Sequence, residues 1–180
     1  WCLSRQRSWG CEMNLLVDKE TNKLSPLSAS YLKFLSLGDN EKAEQLLEKN
    51  PNLEVFKDVL DVWFDSGAMP YAQEGLARMD SPEFGQTADF IAEGVDQTRG
   101  WFFTLHAIHT MVSDSIAYKN VISNGLVLDK EGNKMSKRLG NAVDPFKALD
   151  EYGADALRWY MLTNAQPWDN LKFDASGVDE

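Results

Sequence analysis

The sequence predicts an α/β domain built on a parallel sheet, and three observations support this fold class. The run DFIAEG (89–94) is a short apolar strand that ends in glycine, an amphipathic segment follows at 97–112, and VIS (121–123) reads as the next strand. Strands that alternate with helices are typical of parallel sheets. Only about three such strands are visible, which corresponds to half of a doubly wound sheet. We therefore expect the other half elsewhere in a longer polypeptide.

The N-terminal part predicts a short strand and a helical hairpin. EMNLLV (12–17) indicates a strand, and the turn-rich DKETNK follows it. Residues 28–49 are expected to form two short helices, with Asp39 as the N-cap of the second. The whole stretch 12–57 is rich in Lys, Glu and Asn and shows no evident chemistry. We interpret it as an inserted surface hairpin.

The central part predicts a strand and then an amphipathic helix. VLDVWF (59–64) is β-branched and aromatic and runs into DSG, which indicates a strand followed by a turn. The helix expected at 97–112 has one apolar stripe, formed by Trp101, Leu105, Ile108 and Val112.

The C-terminal part carries the clearest helix signals. LVLD (126–129) indicates a strand that leads into a loop. Asp144 is expected to cap a helix that has Pro145 at its first position and ends at Tyr152, because a glycine follows. A second helix is expected at 154–163.

Charge and composition limit the possible functions. The 180 residues include 28 acidic and 18 basic ones, for a net charge of −10, whereas a free-standing nucleic-acid binder needs a basic surface. Basic residues cluster only locally, at Arg5 with Arg7 and again at 134–138, which suits a small phosphate ligand. Two cysteines, Cys2 and Cys11, do not make a disulfide framework. No apolar run approaches the roughly 20 residues that cross a bilayer, and we expect no membrane partner and a cytoplasmic protein.

The string NGLVLDKEGNKMSKRLGN (124–141) carries the strongest chemical signal. Four polar residues share five positions of its loop: Lys134, Ser136, Lys137 and Arg138. Cations on a loop can stabilise a polyphosphate as charge moves onto it. A bare KxxK cluster is usually a solvated turn, so the interpretation depends on the whole string.

That string resembles the KMSKS-type loop of class I aminoacyl-tRNA synthetases, including the preceding strand and the trailing LGN. DVWFDSG (61–67) and EGVDQTRGW (93–101) are similar to the isoleucyl-tRNA synthetase family within that class. So are the opening WCLSRQRSWG (1–10) and the closing GADALRWY and DNLKFD. The resemblance covers nearly the whole chain and is weakest over 12–57.

The resemblance implies a domain organisation. Residues 1–11 would be the segment that re-enters the catalytic fold after an editing domain, and 12–57 the inserted strand and helical hairpin. Residues 58–180 would be the second half of the Rossmann-like nucleotide-binding fold, with the KMSKR loop at 134–138. The family's His-x-Gly-His motif, editing site and anticodon-binding domain are not in this sequence. We therefore expect the isolated chain to be inactive.

The resemblance also implies a reaction. The carboxylate of isoleucine attacks the α-phosphorus of ATP, and the acyl group then passes to the acceptor end of tRNA(Ile). The carboxylate is already ionised at neutral pH, so catalysis must come from positioning and from stabilising charge on pyrophosphate. The implied ligands are isoleucine, ATP with Mg²⁺ and tRNA(Ile), and the remaining domains of the same polypeptide are the other partners.

Roles in the KMSKR loop follow from the same resemblance. Lys134 and Lys137 are the expected catalytic residues, acting as point charges on the phosphates. Ser136 is expected to hydrogen-bond the phosphates, and Met135 to pack near the adenine. Arg138 stands where many relatives have serine, and no role is assigned to it.

Roles at the strand ends are implied as well. Glu93 and Asp96 are expected to contact the ribose or the adenylate linkage, and Gln97 the polar end of the amino acid. They lie between a strand end and a helix start, where open α/β sheets bind ligands. Without the resemblance, Glu93 and Asp96 would be ordinary acidic residues at a helix N-terminus. Asn124 and Gly125 resemble the adenine-binding turn, where glycine lets the backbone approach closely.

Trp63 and Trp101 are expected to form walls of the isoleucine side-chain pocket by dispersion and desolvation, and core packing is the alternative. Phe102 and Phe103 are expected in the core. No metal site is expected, because His106 and His109, three residues apart on one helix, have no apparent third ligand.

Two alternative functions stay open. Valyl-tRNA synthetases share the KMSK loop and a related opening, but they would be expected to lack the DQxRGW string. A non-catalytic nucleotide-binding module derived from this fold is the other alternative. Retention of both loop lysines together with Glu93, Asp96 and Gln97 argues against it.

Overall fold

The computed structural model describes residues 1–6, 9–75 and 84–179, so Arg7 of the predicted basic pair lies outside the described residues. Contacts divide the chain into two units. The first consists of Trp1–Gln86 and Thr104–Asp114, and the second of Thr87–Phe103 and Ser115–Glu180.

The elements of the first unit follow one another along the chain: β1 (Ser4–Arg5), β2 (Leu16–Asp18), α1 (Ser28–Ser36), α2 (Asn40–Lys49), β3 (Leu53–Val55), β4 (Val59–Leu60), α3 (Val62–Gly67) and α4 (Met69–Ala72). Among the described residues, β1 pairs with β4 and β2 pairs with β3, and both pairs are antiparallel. The helix α5 (Trp101–Ser113) contributes its residues from Thr104 onward to this unit.

The predicted helical hairpin is confirmed. Asp39 caps α2, because its side chain accepts a hydrogen bond from the amide nitrogen of Lys42 at 3.2 Å. The two helices and the β2–β3 pair enclose a small core of buried side chains: Leu16, Tyr31, Ala43 and Leu53. These four positions belong to the stretch 12–57, so it has apolar packing of its own. Its description as an insertion stays a prediction.

The strand predicted over VLDVWF is wrong beyond its second residue. Only Val59–Leu60 is extended, and α3 begins at Val62. The reason is Asp61, whose carboxylate accepts the amide hydrogen of Trp63 at 2.8 Å and so starts a helix. The β-branched and aromatic composition is only a weak preference, which this local cap overrides.

The second unit contains parallel pairs, as predicted. Its elements are β5 (Ile91–Gly94), β6 (Val121–Asn124), β7 (Val127–Leu128), α6 (Pro145–Tyr152), α7 (Ala154–Thr163), β8 (Leu171–Lys172) and α8 (Ser176–Asp179). Among the described residues, β5 pairs with β6 and β7 with β8, both in parallel. The predicted bounds of α6 and α7 are confirmed, whereas β8 was not predicted. A core of Ala148, Leu157, Tyr160, Leu171 and Phe173 packs these elements together.

The start of α5 and part of its apolar stripe differ from the prediction. A 3₁₀ turn occupies Val95–Arg99, and Gly100 separates it from α5. Leu105 and Ile108 are buried as expected, but Val112 is 62% exposed. Core packing is confirmed for Phe102 and wrong for Phe103, which is 49% exposed.

Candidate functional site

The polar residues of EGVDQTRGW and the turn after β6 lie at one edge of a parallel pair. Glu93 is in register with Ser123, and Gly94 with Asn124. Because both strands run in the same direction, their carboxyl ends meet at this edge, and the 3₁₀ turn packs against β6. The structure therefore brings Glu93 and Asn124, which the sequence placed only at two separate strand ends, to neighbouring positions.

The 3₁₀ turn orients two of the predicted ligand contacts. The Gln97 Oε1 atom accepts a hydrogen bond from the amide nitrogen of Trp101 at 2.9 Å, which caps the start of α5. The Gln97 Nε2 atom lies 3.3 Å from the Asp96 Oδ2 atom. A Cβ at Gly94 would lie 2.6 Å from the other carboxylate oxygen of Asp96, so glycine lets this carboxylate fold back over the strand end. Glu93 and Asp96 are exposed and can serve as acceptors.

Sequence reasoning missed one polar group at this edge. The Ser123 Oγ atom is buried and has no hydrogen-bond partner in the described part of the chain. A buried hydroxyl without a partner is uncommon in native proteins. No pattern in the sequence distinguishes Ser123 from an ordinary strand serine, because the property depends on what surrounds it in space.

The backbone of Gly125 closely approaches another backbone segment of the protein, at Asp169, and not a ligand. A Cβ at this position would lie 2.0 Å from the carbonyl oxygen of Asp169. The Gly125 amide donates to the carbonyl of Pro167 at 2.9 Å, and the Leu126 amide donates to the Asn170 side chain at 2.8 Å. The glycine is therefore required by the segment before β8, and its contact with adenine stays a prediction.

The KMSKR loop presents its cations to solvent. Lys134, Lys137 and Arg138 are exposed. Neither lysine forms an ion pair with any residue that the structure describes. The Ser136 Oγ atom accepts from the Leu139 amide at 3.2 Å and caps a short 3₁₀ turn. The two ammonium groups are thus available to an anionic ligand.

The two ends of this loop are tied by side chains. The Asn141 Nδ2 atom donates to the Asp129 carboxylate at 2.8 Å, and the Asn141 Oδ1 atom accepts from the Ser136 amide at 2.9 Å. Hydrogen bonds from Asn141 and from Asn133 lower the pKa of Asp129. The carboxylate is therefore held in its charged form.

Met135 is half-buried and packs against the core of the second unit. An apolar cavity of about 460 Å³ opens beside it. The cavity lining includes Val127, Val143, Leu149, Arg158 and Met161. Because the side chain of Met135 is committed to this apolar environment, it anchors the middle of the loop. Its contact with adenine stays a prediction.

The two predicted pocket tryptophans lie in different units. Trp63 is 43% exposed in the first turn of α3 in the first unit. Trp101 is half-buried at the start of α5 in the second unit. That both line one pocket stays a prediction.

The histidines of α5 differ in environment. His109 is 1% exposed, and its Nδ1 atom lies 3.1 Å from the hydroxyl of Tyr71. Burial, and then the charge of His106, lower the pKa of His109. The described residues contain no cluster of three or more potential metal ligands. No helix among them is long and apolar enough to cross a bilayer.

Comparison with known families gives a match over most of the chain. The family model described as tRNA synthetases class I (I, L, M and V) matches residues 1–174. The isoleucine–tRNA ligase of Bacteroides fragilis is 70% identical over 128 residues, covering 68% of this chain and 11% of the relative. The enzyme of the same name from Chlamydia muridarum is 44% identical over 191 residues, covering 99% of this chain and 18% of the relative. The chain therefore spans only a small part of these relatives.

Solved structures show the same fold. A leucyl-tRNA synthetase from Agrobacterium radiobacter K84, in a complex with tRNA and LeuAMS, gives a TM-score of 0.67 at 21% identity. The match covers 99% of this chain and 26% of that one. A Mycobacterium tuberculosis methionyl-tRNA synthetase, in complex with methionyl-adenylate, gives 0.54 at 19% identity and covers 98% of this chain and 41% of that one.

Proposed function

This chain belongs to the class I tRNA synthetases, and on that premise we propose that it forms part of an isoleucine–tRNA ligase. The observation that carries the proposal is the pair of exposed lysines, Lys134 and Lys137, on a loop whose ends are tied. Isoleucine, ATP and tRNA(Ile) are the proposed substrates. The name shared by the relatives at 70% and 44% identity supports isoleucine. A cytoplasmic location follows from these substrates and is part of the proposal.

The proposed chemistry needs little acid–base assistance. The carboxylate of isoleucine is ionised at neutral pH and attacks the α-phosphorus of ATP, and pyrophosphate leaves. Negative charge grows on that leaving group in the transition state. Lys134 and Lys137 stabilise it as fixed positive charges, which is the type of interaction that accelerates a chemical step. Mg²⁺ accompanies ATP as part of this substrate.

The strand edge supplies the groups that hold the other reactants. Glu93 and Asp96 are exposed carboxylates and accept hydrogen bonds from ribose hydroxyls. Gln97 already uses its Oε1 atom to cap α5, so the group it offers to a ligand is the Nε2 donor. A donor matches the carboxylate of the amino acid or the carbonyl of the adenylate. Asn124 and Gly125 are proposed to border the adenine.

The proposed domain organisation assigns 1–11 to re-entry after an editing domain, 12–57 to an insertion and 58–180 to the second half of the catalytic fold. Under this proposal the remaining domains of the ligase supply the other half of the active site. The 180-residue chain alone should therefore have no activation activity.

The test is ATP–pyrophosphate exchange by the complete protein that contains this chain. We expect exchange that depends on isoleucine and is weaker with valine. The 180-residue chain, assayed in parallel, should show none. Stronger exchange with valine, leucine or methionine than with isoleucine would contradict the substrate assignment. Robust exchange by the chain alone would contradict the half-site interpretation.

A further inference from the structure

One side chain, that of Asn141, connects the residue that precedes the turn before the KMSKR loop with two backbone groups inside the loop. Asn141, just after the loop, donates through Nδ2 to the Asp129 carboxylate at 2.8 Å and to the carbonyl of Lys134 at 3.3 Å. Its Oδ1 atom accepts from the amide of Ser136 at 2.9 Å. Both functional atoms of this amide are therefore used, and they hold the backbone on each side of Met135.

The carboxylate that receives Asn141 is itself fixed. The Asp129 Oδ1 atom accepts from the Asn133 amide at 2.7 Å. The Asp129 backbone exchanges hydrogen bonds of 2.9 Å with Gly132 and Asn133, which closes a tight turn. Asp129 also directly follows β7, whose pairing with β8 places it at the edge of a sheet. The tie therefore connects the loop to the end of a strand that is paired with β8.

The hydrogen bonds made by Asn141 hold the backbone of the loop and do not involve the charged side chains of its lysines. They engage the backbone of Lys134 and Ser136, and the side chain of Met135 packs in the core. The ammonium groups of Lys134 and Lys137 are left exposed. An arrangement that fixes the backbone under free cationic groups places charge before the ligand arrives, which is the condition for electrostatic stabilisation of a transition state.

We propose that Asn141 is a positioning residue that, together with Asp129, clasps the KMSKR loop in the conformation that directs its lysines at the leaving pyrophosphate. The inference rests on the proposed function, because it deepens the role of the same loop. Asn141 acts through the backbone of the loop, and it touches no reacting atom.

Exchanging the two partners tests the clasp. Asn141→Asp places two carboxylates face to face and removes the Nδ2 donor, so the clasp should open. In the double variant Asp129→Asn with Asn141→Asp, the new amide can donate to the new carboxylate, whose second oxygen still accepts from Ser136. Asn40→Asp is the matched control, since it adds the same charge at an exposed position in the first turn of α2.

The readout is isoleucine-dependent exchange by the complete ligase. Asn141→Asp should lower kcat roughly tenfold or more, the effect of losing a hydrogen bond to a charged group. The KM for isoleucine should change by less than about twofold, because the loop acts on the transition state. The double variant should recover part of the lost kcat, because the bond to position 129 is restored whereas the donor to the Lys134 carbonyl is not. Asn40→Asp should match the wild type.

Hydrogen exchange of the Ser136 amide gives an independent measurement. It should accelerate in Asn141→Asp and return towards the wild-type rate in the double variant, while exchange of Leu171–Lys172 stays unchanged and reports intact folding. A wild-type kcat in Asn141→Asp, or a double variant no better than the single one, would overturn the clasp. If the wild-type protein shows no isoleucine-dependent exchange, the proposed function fails instead. The Ser136 amide then still decides whether the clasp exists.

Discussion

The carboxylate of Asp61 pairs with the guanidinium of Arg5 and at the same time accepts the amide hydrogen of Trp63 at 2.8 Å. The Asp61 side chain is 7% exposed and that of Arg5 is 35% exposed. One buried acid thus links β1 to the first turn of α3, where Trp63 lies. Arg5 belongs to the opening string WCLSRQRSWG and Asp61 to DVWFDSG, so two separate motifs meet at this contact.

Asp61→Ala should loosen α3, because it removes both the cap and the ion pair. Loss of the cap alone costs about 1 kcal/mol, which corresponds to roughly fivefold faster amide exchange in a helix. Asp61→Asn is the matched control, since its amide oxygen can still accept from Trp63. Exchange over Val62–Gly67 should increase clearly in the alanine variant and much less in the asparagine variant. Equal effects of the two substitutions would show that the ion pair, and not the cap, dominates.

Lys137→Ala in the complete ligase should slow activation much more than it weakens isoleucine binding. Losing one contact to developing charge typically costs about 3 kcal/mol, or roughly a hundredfold or more in kcat. Lys134→Ala should behave similarly, and the double variant should lose less than the product of both effects, because both residues are proposed to act on one pyrophosphate. Lys130→Ala, which removes an exposed cation from the turn before the loop, serves as control. An unchanged kcat with a raised isoleucine KM would contradict the assigned role.

Trp101→Ala should reduce activation of isoleucine and valine together and shrink their ratio. If Trp101 forms a wall of the isoleucine side-chain pocket, as the sequence predicts, the substitution removes the surface that contacts the additional methylene. One methylene in an apolar pocket is worth only about 1–3 kcal/mol. This is a general range, and isoleucyl-tRNA synthetase is one of the enzymes that define it. The measurement is kcat/KM for both amino acids. Phe103→Ala, at an exposed position of the same helix, should leave the ratio unchanged. Wild-type efficiency and discrimination in Trp101→Ala would make Trp101 a core residue.

Gly125→Ala should disrupt the junction of β6 and β7. Its methyl group would lie 2.0 Å from the carbonyl oxygen of Asp169, so one of the two backbones has to move. Gly38→Ala is a useful comparison, because only its positive φ of 71° opposes the substitution and no atom lies within 4 Å; this costs roughly 1–2 kcal/mol. Exchange of the Leu126 and Leu171 amides should increase strongly in Gly125→Ala and stay unchanged in Gly38→Ala.

Acidification should weaken the part of α5 that contains His109. The pKa of this residue is lowered below its ordinary value of 6.5 by burial and by His106. Between the two pKa values the unfolded chain binds more protons than the folded one, so the stabilisation is complete above pH 6.5 and is lost as the pH falls further. Exchange over residues 104–113, corrected for the intrinsic effect of pH, should rise between pH 7.5 and 5.5. His109→Gln should remove most of this pH dependence, and a persistent dependence would point to another group.

Capping residues and glycines in the sequence predicted those helices whose first and last residues are set by their immediate neighbours in the chain. The bounds of α6 and α7 follow from the Asp144–Pro145 start and from Gly153, which need no distant contact. A local signal also explains the error at α3, since the cap formed by Asp61 was read as part of a strand. The sequence placed Glu93 and Asn124 at strand ends, and the parallel pairing of β5 with β6, seen only in the structure, brings these ends to one edge.

Contacts between distant residues could not be predicted in the same way. The reason for glycine at position 125 is a carbonyl group at position 169, and β8 is too short to show strand periodicity. The orphan hydroxyl of Ser123 and the ties made by Asn141 depend on side-chain positions in space. The trailing LGN was recognised as part of a motif, but its sequence does not say which atoms Asn141 would engage.

The pairing of β7 with β8 has a consequence for how the chain is made. Leu126 and its partner Asn170 are 44 residues apart, and the KMSKR loop, α6 and α7 lie between them. At ordinary synthesis rates of about 5–20 residues per second, β7 waits roughly 2–9 s for its partner to be translated. During that interval the strand that precedes Asp129 has no partner strand. The paired strands can therefore support the KMSKR loop only after Lys172 has been synthesised, and until then Leu157 and Tyr160 of α7 lack Leu171 and Phe173 as core partners.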